Sequence, residues 1–363
     1  MPQAVEAFSL RDTECLPGLF IEADAPVSSS RDWIVPVGLL DAMMAGRALS
    51  IREAISPALE RNLQSIQNIY CSWLPTAKEV AVNVTTTSAE ETSTGRSVFF
   101  SGGVDSFYSL LKHRERTNNL ILVHGFDIPL DNTTFFAPVR SAAEEVAALF
   151  ETRLITVKTN LRTVSHASSW GIEHGAALAS VAHALQPNHS TVYIGSTHSY
   201  KDLHIWGSHP LLDPLWSSGS VQIVHDGAET NRIGKLKRIC EYPEIIKYLR
   251  VCWHDTGLYN CGRCEKCLRT MIGLLGLDSL QHANFSSSLD LARVRRTRLD
   301  DDSVLFWREL LALDLPKGLR SAIEHAIRNH AWGLPPRGSA RSELLRLQCA
   351  ARQLGRLFHA LLS

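Results

Sequence analysis

The stretch VFFSGGVDSFYSLLKH, residues 98–113, constrains the fold more than any other, because it sets a glycine- and serine-rich turn between a bulky apolar run and a helical pattern. Val98, Phe99 and Phe100 read as the end of a buried strand, and Phe107, Leu110 and Leu111 recur at helical spacing. Residues 101–106 are therefore a strand-to-helix turn, a natural anion site in α/β proteins. Gly102 and Gly103 can take backbone angles closed to other residues, and their missing side chains let an oxyanion approach. The helix beyond presents unpaired N–H groups. Ser101 and Ser106 add hydroxyl donors, so the turn reads as a phosphate site. It is not a Walker A loop, since it lacks that pattern and its lysine.

The surrounding pattern predicts a parallel sheet. Apolar segments near 97–100, 120–125, 153–157 and 191–195 alternate with amphipathic stretches near 105–115, 138–150 and 174–185, the rhythm of βα units in a Rossmann-like α/β fold. Ligands in such sheets sit at the carboxyl ends of the strands. The candidate site is thus drawn from residues 101–106, Gly125–Asp127, 158–174 and the region after Gly195. Around a core domain at 97–272, residues 1–85 read as a small α+β module and 86–96 as a linker. Residues 273–363 read as a helical region, with helical spacing at 302–314, 317–331 and 340–362.

A second informative segment is VCWHDTGLYNCGRCEKCLRTM, residues 251–271. Cys252, Cys261, Cys264 and Cys267 follow the spacing C-x8-C-x2-C-x2-C, which suits a tight knuckle (252–267) folded around one ion. Four thiolates favour tetrahedral zinc; an iron–sulfur cluster is the competitor. A closed four-thiolate site is structural, fastening a loop or the end of the domain. Cys15, Cys71, Cys240 and Cys349 read as small apolar residues.

With both motifs in view, the S-G-G-x-D-S turn resembles the signature of the PP-loop ATP pyrophosphatases, whose core is of the adenine nucleotide alpha hydrolase type. The turn followed by C-x8-C-G-x-C-x-x-C resembles, within that superfamily, the 7-cyano-7-deazaguanine synthase family. SAAEEVAALFETRLITVKTNL (141–161) looks like that family's second helix and third strand, and VYIGS (192–196) like its fourth strand, ending in Gly195. NRIGKLKRI (231–239) resembles a segment whose lysine lies near the phosphates, which makes Lys235 a candidate ligand. The resemblance covers about residues 97–272. It implies ATP, Mg2+ and Zn2+ as cofactors, with Ser101, Gly102, Gly103, Asp105 and Ser106 holding pyrophosphate and its magnesium. It also implies adenine near Phe126, and Asp105 and Lys235 as catalytic residues.

The chain departs from that family where substrate would lie. GSTHSYKDLHIWGSHPLLDPLWSSG (195–219) is long and irregular, as a functional loop is, and offers His198, Lys201, Asp202, His204, His209 and Asp213 for acid–base work or substrate contact. VHDGAETNR (224–232) adds His225, Asp226 and Glu229, facing solvent or the magnesium. A shared reaction on a different acid is the expectation: ATP is split to AMP and pyrophosphate, and a carboxylate or carbonyl is activated for attack by ammonia or an amine. Two other readings stay open, a PP-loop sulfur-transfer enzyme acting on RNA and a nucleotide-binding partner protein without turnover.

Lysine plus arginine equals aspartate plus glutamate at 37 each, so no global field draws the chain to nucleic acid or membrane. Small-molecule partners are expected, with a macromolecular substrate or a homo-oligomer left open. The basic RVRRTR (293–298) and the arginines 341, 346, 352 and 356 are local exceptions. No apolar run reaches the length of a membrane span, and the N-terminus lacks a basic stretch with an apolar core, so a cytoplasmic location is expected.

Overall fold

The computed structural model describes residues 8–87, 93–165, 169–253 and 257–331. Cys349 and the helical spacing over 340–362 lie outside them. Among the described residues nine strands form: β1 (Phe8–Arg11), β2 (Phe20–Ala23), β3 (Leu49–Ser50), β4 (Val82–Asn83), β5 (Arg96–Phe99), β6 (Asn119–His124), β7 (Arg153–Thr159), β8 (Thr191–Gly195) and β9 (Gln222–Asp226). Seven make one sheet in the order β1-β2-β7-β6-β5-β8-β9, and β3 pairs with β4 apart from it. From β7 through β9 every pairing is parallel, while β1 and β2 add antiparallel at the β7 edge.

The parallel part follows from the expected βα rhythm. Helices Val104–His113, Thr133–Leu149 and Trp170–Ala184 separate β5, β6, β7 and β8, and such crossovers cover both faces of a sheet. Its strands then carry continuous apolar runs; Leu120, Ile121 and Leu122 of β6 are all buried. The chain moves from β5 outward to β7, then returns to the other side of β5 for β8 and β9. That reversal opens a crevice at the carboxyl ends of β5 and β8.

Residues 8–85 are not separate from the sheet: their first two strands complete it. β1 and β2 extend its edge, where Asp24 Oδ1 accepts the Thr156 N–H at 2.8 Å and Asn160 Oδ1 accepts the Phe20 N–H at 2.9 Å. Helices Val35–Ala45 and Pro57–Trp73 bury Leu39, Leu40, Leu59 and Leu63 in one core with Ala176 and Val181 of helix Trp170–Ala184. On the opposite face, Phe107, Val139, Leu236, Ile272, Trp307 and Ile323 share a second core, which takes in helices Arg232–Cys240, Glu265–Leu275, Ser303–Leu310 and Lys317–Ala331. In the expected linker, Thr86 bridges Ile55 and the Thr87 N–H bonds the Ile55 carbonyl at 3.0 Å. Among the described residues, no helix is long and apolar enough to cross a membrane.

One buried histidine joins the layers. His189 lies with Nε2 2.9 Å from the Ala182 carbonyl and Nδ1 2.9 Å from Ser97 Oγ of β5. A carbonyl can only accept, so Nε2 carries the proton and Nδ1 accepts from the hydroxyl. Burial pushes this imidazole down to about 4, against the pull of the Ala182 hydrogen bond. Between an unfolded value of about 6.5 and that folded value, the unfolded chain takes a proton the folded chain refuses, so stability falls as pH falls. Replacing His189 with Gln removes that contribution. The stability gap between wild type and His189→Gln should shrink by about 2 kcal/mol from about pH 7 to about pH 5 in urea unfolding. An equal gap at both pH values would contradict a neutral buried His189.

Candidate active site

A turn follows β5 where the sequence predicts one, but it is shorter than residues 101–106, because the helix begins at Val104, and it is braced from behind. Gly102 takes the left-handed region at φ +77°, and Gly103, in extended backbone, caps helix Val104–His113. Ser101 Oγ accepts the Gly103 N–H at 3.3 Å, and Ser106 Oγ donates to the Gly103 carbonyl at 3.0 Å. The Arg250 N–H bonds the Gly102 carbonyl at 2.8 Å, and Arg250 Nε bonds the Ser101 carbonyl at 3.2 Å.

Asp105, in the first turn of the helix, meets Lys235 Nζ at 2.9 Å and Arg232 Nη1 at 3.4 Å. Burial works to raise the Asp105 carboxyl, but the charges of Lys235 and Arg232 outweigh it and hold the group below the ordinary carboxylate range. Lys235 is 1% exposed and also donates to the Ser196 carbonyl just past β8. It lies beneath Asp105 rather than on the lining of the cavity described next. Gly195 ends β8 against this helix start: a Cβ there would stand 3.0 Å from the Asp105 carbonyl carbon and oxygen, which explains the glycine.

Above the carboxyl ends of β5, β6 and β8 lies a cavity of about 500 Å³. Ser101, Gly103, Asp105, Ser106, Phe126 and Gly195 line it, so most of the predicted set converges on one space; Gly102 and Lys235 lie outside the lining. The lining residues that the sequence does not single out include Arg232, Arg250, Arg269 and Phe306. Arg250 and Arg269 stand two positions outside the cysteine cluster, next to a motif already recognised. Phe306 carried no local signal, since it arrives from a distant helix. Its ring lies 4.3 Å from the Arg269 guanidinium and 5.7 Å from that of Arg232. Both arginines are at least nine-tenths buried, and the Nε atom of each lacks a hydrogen-bond partner among the described residues.

The loop after Gly195 reaches this cavity through Thr197, His198 and Trp206. His198 is buried, stacks on Phe306 at 5.3 Å, and among the described residues has no hydrogen-bond partner on either ring nitrogen. Burial, reinforced by His204, pushes it down to about 3, so it faces the cavity as a neutral imidazole. Lys201, Asp202, His204, His209 and Asp213 are not on the lining. Asp213 instead holds the loop: it accepts from Ser208 Oγ at 2.6 Å and pairs with His225 Nδ1 at 2.8 Å. The Ser208 N–H then bonds His174 Nε2 at 3.2 Å, while His174 Nδ1 donates to the Trp170 carbonyl at 3.0 Å. That fixes the tautomer and angle of a ring on the cavity wall. Asp226 and Glu229 share Lys112, at 2.8 and 2.6 Å, away from the lining.

The four knuckle cysteines meet. Their Sγ atoms all lie within 4.8 Å of one another, with Cys252–Cys264 at 3.9 Å and Cys261–Cys267 at 3.8 Å. Thiolates bound tetrahedrally at about 2.3 Å stand about 3.8 Å apart, whereas a disulfide needs about 2.05 Å. Backbone N–H groups of Arg263 and Cys264 point at Cys261 Sγ, at 3.4 and 3.3 Å, and that of Cys267 at Cys264 Sγ, at 3.4 Å. Such donors stabilise thiolate charge. Gly262 makes the tight bend at φ +67°, where a Cβ would stand 2.7 Å from the Ser287 carbonyl oxygen. The set could hold a metal ion such as zinc. Comparison of the chain with family models, curated proteins and solved structures gives no match.

Proposed function

We propose that this protein is an ATP-dependent, AMP-forming enzyme of ligase type on a PP-loop core, as its resemblance to the 7-cyano-7-deazaguanine synthase family implies. The observation that carries this reading is the Ser101–Ser106 turn, open to a 500 Å³ cavity at the sheet's reversal point and surrounded by Arg232, Arg250 and Arg269. An α/β crevice with a glycine turn, a helix N-terminus and buried guanidiniums suits a polyphosphate.

In this reading the β and γ phosphates of ATP rest on the Ser101–Ser106 turn, with adenine toward Phe126. An oxygen of the acceptor acid attacks the α phosphorus. The bond to the β phosphate breaks, and pyrophosphate leaves with the electron pair. Ammonia or an amine then attacks the activated carbon and AMP departs. The chain's part is electrostatic: fixed N–H donors and guanidiniums stabilise charge developing on the leaving group without covalent chemistry. Lys235 acts by fixing Asp105 under the turn. Asp105 and Asp127, both lining carboxylates, would hold magnesium, which supplies charge neutralisation and binds through one or two carboxylates plus phosphates. The sulfur-transfer reading is less well supported, because no cysteine is among the described lining residues and Cys240 packs beside the second apolar core.

With ATP, ammonium and a panel of carboxylic acids, phosphorus NMR should show AMP and pyrophosphate; ADP and phosphate would contradict the assignment. Asp105→Asn should cut turnover about a hundredfold or more, the usual scale for a lost preorganised contact, and an unchanged rate would remove Asp105 from the mechanism.

Zinc is the ion we assign to Cys252, Cys261, Cys264 and Cys267. Elemental analysis should find one zinc per chain, and Cys264→Ser should lower both zinc content and melting temperature, since structural metal binding contributes to folding. Iron with sulfide in the purified protein would overturn the assignment.

A further inference from the structure

Glu265, on the wall of the large cavity, also lines a second hollow of about 420 Å³ with Arg263, Asp290, Arg293, Arg296, Thr297 and Arg298. Four guanidiniums on one hollow stand out in a chain whose formal charges balance. Neither carboxylate there forms an ion pair with these arginines. Asp290 Oδ1 caps helix Leu291–Arg296, accepting the Ala292 N–H at 2.8 Å. Glu265 Oε1 accepts from Trp307 Nε1 at 2.7 Å and pairs with Arg269 at 3.6 Å. Among the described residues, none of the four arginines has a carboxylate within 4.0 Å. Arg263 Nε bonds Ser287 Oγ at 2.9 Å and Arg296 Nε bonds the Ala292 carbonyl at 3.1 Å, and neither bond uses the Nη nitrogens.

Trp253 supplies the second element. It lines the large cavity, as Glu265 does, yet is 59% exposed; the Lys266 ammonium, 2.9 Å from the ring centroid, occupies one face, so a base would stack on the other. Arginine forks match phosphate oxygens in pairs, and basic groups that track a backbone, together with an aromatic ring that stacks bases, are how single strands are held; Glu265, common to both linings, connects the hollow to the cavity that Trp253 lines. Polyglutamate would satisfy the arginines but offers no ring to Trp253. We propose that the hollow binds the phosphodiester backbone of a single-stranded nucleic acid, with one base stacked on Trp253 at the mouth of the large cavity. This binding does not rest on the adenylation reading, and it requires no ATP.

The test is fluorescence anisotropy of the full chain with labelled single-stranded RNA and DNA of about 12 nucleotides. Four phosphate contacts predict a log–log salt slope of about −2.8, so affinity should fall about fiftyfold between about 50 and about 200 mM salt. The double variant Arg293→Glu/Arg296→Glu, on exposed positions away from the cysteines, should weaken binding more than about tenfold and flatten the slope. Arg293→Gln/Arg296→Gln should fall between it and wild type. Trp253→Ala should weaken binding about tenfold at an unchanged slope. The proposal is overturned by absent binding at about 50 mM salt, by either arginine variant binding as wild type does, by Trp253→Ala without effect, or by a duplex or polyglutamate binding as tightly as the single strand.

Discussion

The carboxylate of Asp105, held by Lys235 at 2.9 Å and Arg232 at 3.4 Å, is the contact on which the carboxyl edge of the sheet depends. It joins the helix after β5 to helix Arg232–Cys240, and through the second bond of Lys235, to Ser196, it joins both to the end of β8. Lys235 is 1% exposed, and losing one partner of such a buried pair costs about 3–5 kcal/mol because the other charge is left uncompensated. The contact also has a functional meaning. Lys235 and Arg232 balance the Asp105 charge from beneath while the residue stays on the cavity lining, where the proposed magnesium would meet it.

A second linkage runs from the cysteine knuckle to the same turn. Asn260, buried beside Cys261, accepts the Val251 N–H at 2.9 Å and donates to the carbonyls of Leu249 and Asn284 at 2.7 and 3.0 Å. Those bonds fix the segment carrying Arg250, whose backbone and guanidinium in turn grip Gly102 and Ser101. A metal on the four sulfurs would therefore stabilise the turn from a distance, without touching the cavity. Arg269 extends the same logic, since it projects from the helix that Cys264 caps.

Much of this was legible because it is local. The strand–turn–helix at residues 98–113, the alternation that sets β5 through β8, and the C-x8-C-x2-C-x2-C spacing each lie within a short window, where periodicity and ligand spacing act directly. What was not legible depends on distant pairing. FSLR and FIEA are too short to announce their partner, yet they become β1 and β2 because β7 leaves an open edge. Residues 1–85 therefore read as a module of their own. The family resemblance makes Lys235 a candidate phosphate ligand, and in the fold it lies under Asp105. Phe306 and Arg269 meet only because the C-terminal helices pack over the knuckle, which no spacing encodes.

The central claim is that the Ser101–Ser106 turn receives the β and γ phosphates of ATP and leaves the α phosphorus facing the cavity. A crystal structure with magnesium and α,β-methylene-ATP tests it most directly, because that analogue cannot be split at the bond in question. The account predicts β and γ oxygens on the backbone N–H groups of the turn, Arg232 or Arg250 against them, adenine toward Phe126, and the α phosphorus open to the space before His198 and Phe306. A triphosphate bound elsewhere, or one with its γ end toward the acceptor space and its α phosphorus sealed, would contradict it.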